Sequence, residues 1–313
     1  MTTFTNQLAA AAGAGHTAQA ARRAMLSAAL GCARRCAAVL AFMAASGGFL
    51  WAAPSGDEAR LEAAVEAIST HPRVKDVPRD KLKAATEFAV GNILFVLLHE
   101  AAHGLISDLG LPVLGREEDA ADQFATVTML EMKTEFTHRT LVNSAKSWLI
   151  SDRRARDKGE VVTYYDNHGL DLQRAYNIIC LMVGSDNDKF EDLADEVNLP
   201  EDRQETCVFD YSNAQWSWEQ ALKPHRRAPD QERTKYEIIY GKAEGTFDLF
   251  EKVARVTGIM ERVADRLVDL YVWKKPFTIE VQTCGSSGAT WVGPDLKIIL
   301  CYELASGSSP CSL

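Results

Sequence analysis

From Arg79 to Leu109 no proline interrupts the chain, and the middle of that stretch, Ile93-Leu94-Phe95-Val96-Leu97-Leu98, is apolar on every side. A helix of this kind has to be wrapped by other elements, so the stretch predicts a central buried helix with the rest of the domain built around it. Gly110 and Pro112 supply its stop. Near that end stand His99-Glu100-Ala101-Ala102-His103. Two imidazoles and a carboxylate are costly inside an apolar helix unless something pairs with them. The fold must therefore bring a partner to them.

A metal ion is the partner this spacing suits. His99 and His103 lie one turn apart on one face, so both can reach a single tetrahedral zinc at about 2.0–2.1 Å. Glu100, next to the first ligand, is placed to take a proton from water on the metal and to return it to a leaving group. The same string also arises by chance in unrelated chains. Its apolar setting argues against chance here. The expectation is one zinc per chain on His99 and His103, with Glu100 as the general base.

A catalytic zinc usually takes a third protein ligand. The segment Glu117-Glu118-Asp119-Ala120-Ala121-Asp122 offers carboxylates just beyond the buried helix. Glu118 is the choice on helix geometry. Asp122 is one turn further on the same face, where it can accept a hydrogen bond from a metal-bound histidine. Glu117 and Asp119 have no such matching carboxylate one turn on, and are read as first-turn acids that complement the helix dipole.

Residues 1–53 contain no Asp or Glu but carry Arg22, Arg23, Arg34 and Arg35, followed by an apolar run from Cys36 to Ala45 and small residues before Pro54. That is the pattern of a secretory signal, with an uncleaved membrane anchor as the alternative. The run is shorter than the ~20 residues that span a bilayer comfortably. An exported protein, periplasmic or secreted, is expected. Losing the leader removes four positive charges and no negative ones, so the formal charge moves from -9 to -13. An acidic chain argues against nucleic acid as a partner. Export also makes disulfides plausible among Cys180, Cys207, Cys284, Cys301 and Cys311. Spacing does not fix their pairing.

The remaining pattern predicts a domain over residues 54–304 and a loose tail over 305–313. Helices are expected at 57–69, from Arg116 toward Trp148, at 170–183 and from Thr246 to about Tyr271. Residues 151–159 and most of 185–206 read as loops, with a short helix at 190–196. Three β-like runs, at 277–283, 289–292 and 296–302, suggest a small antiparallel sheet. Trp216 and Trp218 are expected to pack in the core.

The blocks Phe95–His103, Leu111–Ala125 and His168–Arg174, the Cys180 and Cys207 regions, and Cys284-Gly285 with Leu300–Leu304 resemble a bacterial family of exported metallopeptidases carrying His-Glu-x-x-His. The likeness covers most of residues 85–304. Where family members have Asn-Ala-Phe-Tyr after Cys-Gly, this chain has Gly288-Ala289-Thr290-Trp291. The Glu118–Asp122 spacing is similar to gluzincin peptidases, thermolysin and the prenyl-protease type among them. In those the Glu is a zinc ligand and the Asp supports a histidine. The prenyl-protease type also has a His and a following Arg near the site, to which His168 and Arg174 are loosely similar. The resemblance implies an oxyanion-stabilising role for His168, with Tyr164 or Tyr165 as alternatives. Cys180–Cys207 and Cys284–Cys301 are the pairs expected, leaving Cys311 single.

The sequence thus points to a mostly helical α+β, zincin-like domain that hydrolyses peptide bonds of a peptide or protein substrate. Two rivals stand beside that reading. One is a metal hydrolase of non-peptide amides or esters. The other is an exported zinc-binding protein without activity, which would have no need of Glu100 and would close its metal with four ligands.

Overall fold

The computed structural model describes residues 56–304; the leader expected at 1–53 and the tail at 305–313 lie outside the described residues. Helix α1 (Gly56–Ser69) precedes α2 (Arg79–Leu109), the central helix that the proline-free run predicted. Gly110 ends α2 in the left-handed conformation at φ 72°, with its N–H on Ile106 O. By length and apolarity α2 would suffice to cross a membrane, yet 83% of its most apolar window is buried inside the protein. It is the core helix, carrying Ile93, Phe95, Leu97, Leu98 and Leu105 at no more than 1% exposure.

Around it lie α3 (Glu117–Glu131), α4 (Glu135–Asp157), α5 (Asp171–Ser185), α6 (Asn187–Glu196) and α7 (Glu201–Leu222). Helices α3 and α4 both pack on α2, and α5 packs on α3, α4 and α7. The single long helix expected from Arg116 toward Trp148 is in fact these two, α3 and α4. The chain breaks at Lys133, which takes φ 52°. Thr134 then caps α4 by accepting the Thr137 N–H at 3.0 Å. The segment 151–159 is not a loop: α4 runs on to Asp157 through its charged face. Likewise 185–206 is mostly helical. Asp186 caps α6, and Pro200 opens α7, where a missing N–H costs nothing.

Strand β1 (Tyr236–Tyr240) was not foreseen. It is followed by α8 (Asp248–Thr257) and α9 (Ile259–Leu270), two helices where one was expected. Gly258 separates them at φ 58°, a conformation that costs glycine little. Strands β2 (Phe277–Gln282), β3 (Ala289–Val292) and β4 (Lys297–Cys301) complete a sheet in the order β1-β2-β4-β3.

The sheet is mixed, which corrects the antiparallel expectation. β1 pairs with β2 in parallel, and β2 with β4 in parallel; β3 alone runs antiparallel, against β4. The parallel β1–β2 pair follows from the α8–α9 crossover between them. β4 comes after β3 in the chain but inserts between it and β2, so the turn-rich segment after Cys284 does not make a simple β2–β3 hairpin. Ile279, Val281, Ile298 and Leu300 are fully buried on the inner face. Two disulfides join Cys180 to Cys207, between α5 and α7, and Cys284 to Cys301, beside β4. These are the expected pairs.

Candidate metal centre

The site forms where α2 crosses the first turn of α3. His99 Nε2 faces Glu118 Oε2 at 3.0 Å, and His103 Nε2 lies 3.2 Å from His99 Nε2 and 3.3 Å from the same Glu118 oxygen. Each ring also has its other nitrogen on a carboxylate. His99 Nδ1–H donates to Asp122 Oδ1 at 2.8 Å, and His103 Nδ1–H to Glu117 Oε1 at 2.8 Å. With Nδ1 so committed, each Nε2 presents a lone pair inward.

Two lone-pair nitrogens and a carboxylate oxygen repel at 3.0–3.3 Å unless a cation or protons lie between them. Ligands on a tetrahedral ion with bonds of about 2.0–2.1 Å sit about 3.3–3.4 Å apart. The donor set and its spacing therefore fit a metal. Without a metal, protons take that place. Burial opposes charging His103, but hydrogen bonds to Glu118 and Glu117 outweigh it and push its pKa up to about 9. His99 is raised in the same way, burial being outweighed by Asp122 and Glu118. Burial would raise Glu118, yet His103, His168 and His99 together hold it well below the carboxylate range.

Glu117 is the residue that reading the sequence missed. The sequence makes it a helix-dipole acid, but in the structure its carboxylate orients His103 as Asp122 orients His99. Helix α3 thus supplies a ligand-type carboxylate at 118 and an orienting one on either side. A signal was present: Glu117 precedes Glu118 at the helix start, where its side chain can turn back across α2. Asp119 instead pairs with Arg116 at 2.9 Å, as a surface acid would.

Asp122 is buried and held from behind. Arg174 of α5 donates from Nε to Oδ2 at 2.8 Å and from Nη2 to Oδ1 at 2.7 Å. Burial would raise the Asp122 pKa, but His99 and Arg174 keep it lowered. The Arg174 guanidinium stacks 3.7 Å from the Trp148 ring of α4.

Glu100 is 7% exposed and sits beside the pair of histidines. Burial pushes its pKa up, against the pull of His99 and His103 and, least of all, of the nearby Trp291 backbone N–H. That N–H comes from β3, so the sheet edge reaches the site. Gly104, one residue past His103, lets this happen: a Cβ there would lie 3.0 Å from the Trp273 ring and 3.2 Å from the Trp291 ring.

His168 arrives from the loop between α4 and α5. Its Nε2 is 3.0 Å from Glu118 Oε2, and Nδ1 is 3.1 Å from Asp166 Oδ1. The ring is about half exposed. Ligand-type atoms of His99, Glu118 and His168 all lie within 4.8 Å of one another. Tyr164 and Tyr165, the alternatives to His168, point to solvent instead, at 83% and 90% exposure. Trp218 packs against Phe124 at 4.8 Å between ring centroids. Trp216, expected beside it in the core, is 64% exposed, because neighbours two apart on a helix point in different directions.

A mostly helical frame carrying a small mixed sheet, with histidine and carboxylate donors converging between two crossed helices, has the make-up of a metal-dependent hydrolase. The chain belongs to the family DUF4344, described as putative metallopeptidase, whose model matches residues 59–222. The match takes in all of His99, Glu100, His103, Glu118, Asp122, His168 and Arg174, and stops before β1. No curated protein and no solved structure matches the chain.

Proposed function

We propose that this protein is a zinc-dependent peptidase of zincin-like architecture, with His99, His103 and Glu118 as the metal ligands. The observation that carries the reading is the mutual spacing of the two Nε2 atoms and Glu118 Oε2 at 3.0–3.3 Å, each imidazole backed by its own carboxylate. Zinc, when bound, supplies a Lewis acid that acidifies water and polarises a carbonyl.

The chain's own residues do the rest. Glu100 takes the proton of the attacking water and passes it to the leaving amine. With Glu118 engaged by the metal, His168 Nε2–H, which otherwise meets Glu118 Oε2, would be left to donate to the oxygen on which charge develops, and Asp166 on its Nδ1 favours the charged ring. Asp122 and Glu117 hold the two ligand rings in position.

Strand β3 favours a peptide over a smaller amide or ester. It is an edge strand, and Cys301 N–H pairs with Gly288 O at 3.0 Å. Antiparallel alternation then turns the backbone groups of Ala289 and Trp291 away from β4. An extended peptide can add to such an edge. The paired experiment is metal content together with cleavage of a peptide library by wild type and Glu100→Gln. Stoichiometric zinc with cleavage lost only in the variant supports the reading; stoichiometric zinc with no cleavage by wild type supports the non-catalytic rival.

A further inference from the structure

Between α4 and α5, Val161, Val162, Tyr164 and Tyr165 are 88%, 46%, 83% and 90% exposed. Four large apolar side chains held in water within five residues mark a contact surface, since singly scattered ones need no explanation and clusters do. The loop is continuous with the site: three residues on, His168 reaches Glu118, and Asp166 holds His168 through both its ring and its backbone N–H. It therefore cannot stand far from the reacting bond.

We propose that residues 161–165 are a docking surface for extended polypeptide carrying bulky apolar or aromatic side chains, which the protein draws into its site. This rests on the peptidase reading and names its substrate class. The occupant must engage the loop and the adjoining centre together. An extended chain can do so, laying side chains against Val161, Tyr164 and Tyr165 while its backbone runs on past His168 to the centre. A lipid surface fits less well. Between 151 and 168, Arg153, Arg154, Arg156 and Lys158 are balanced by Asp152, Asp157, Glu160 and Asp166, and the whole chain is at -9. There is no net attraction to an anionic bilayer.

The test uses zinc-loaded Glu100→Gln protein, so that binding is read without cleavage. Fluorescence anisotropy compares labelled unstructured peptides rich in Leu and Phe with Ser- and Gln-substituted versions of equal charge. The apolar peptides should bind at least ~10-fold more tightly. Val161→Ser, Tyr164→Ser and Tyr165→Ser combined should abolish that preference while zinc content stays unchanged. Equal binding of both peptide sets, or a preference that survives the triple change, overturns the proposal. So does loop-dependent sedimentation with phosphatidylglycerol vesicles, or loop-dependent self-association. If the loop-dependent preference is found but wild type cleaves none of the peptides it binds, the peptidase reading fails and the docking surface stands.

Discussion

Arg174 holds both oxygens of Asp122, at 2.8 and 2.7 Å, while Asp122 Oδ1 also accepts the Nδ1–H of His99 at 2.8 Å. Trp148 covers the far side of the guanidinium. His99, a proposed metal ligand on α2, is thus oriented through a chain of contacts that passes through α3 and α5 to α4. Removing the partner of a ligating histidine commonly costs about 10–100-fold in metal affinity. Arg174→Gln should weaken zinc binding by about that factor, with Arg174→Lys falling between. If the effect travels through Asp122, Arg174→Gln should add little in an Asp122→Asn background. Chelator competition on the four proteins measures this, and full additivity would mean Arg174 acts by another route.

Protons and metal compete for the same atoms. In the metal-free protein His103 titrates at about 9 against 6.5 ordinarily, burial being overcome by Glu118 and Glu117. The folded state then holds a proton that the unfolded chain releases near 6.5, so this stabilisation is complete below pH 6.5 and is lost as pH rises through 9. Chelator-treated protein should therefore melt at falling temperature across that window. Zinc-loaded protein should not, since ligand deprotonation favours metal. Parallel melting curves across pH for the two forms would contradict this account.

Glu100→Gln keeps shape and removes the base. Cleavage should fall by about 10²–10⁴-fold while zinc affinity changes little. In wild type the acid limb of kcat/KM should report the ionisation of Glu100, which burial raises and a bound zinc would lower, and Glu100→Gln should remove that limb. Steady-state kinetics across pH with parallel metal analysis reads both. Equal loss of zinc and activity would make Glu100 structural.

Much of this centre was legible because helical periodicity is local. The spacing of His99, His103, Glu118 and Asp122 sets which face each occupies, and α2 announces itself by its apolar core. What was not legible depends on tertiary approach. Glu117 looks like any first-turn acid until α2 is placed beside it. Arg174 shows its role only when α5 lies behind α3. The parallel β2–β4 pairing depends on β4 threading between strands that precede it, which no local pattern encodes. The break at Lys133 was hidden because a non-glycine residue takes the left-handed conformation there.

The contact between Gly104 and two tryptophans couples the metal helix to the sheet edge. Trp273 is 4% exposed and packs 4.5 Å from the Phe277 ring, so it has little room to yield. Trp291 is only half-buried and has the more room of the two to yield. Gly104→Ala should thus displace Trp291, and with it the backbone N–H that lies near Glu100. Overpacking of this kind costs about 1–3 kcal/mol. Urea denaturation should show that loss, offset in part by the better helix propensity of alanine. Zinc affinity should hardly change, because His99, His103 and Glu118 lie away from the clash, while kcat/KM should fall. A variant with normal stability and normal kcat/KM would mean that β3 yields without consequence, and that the edge strand does not position the base.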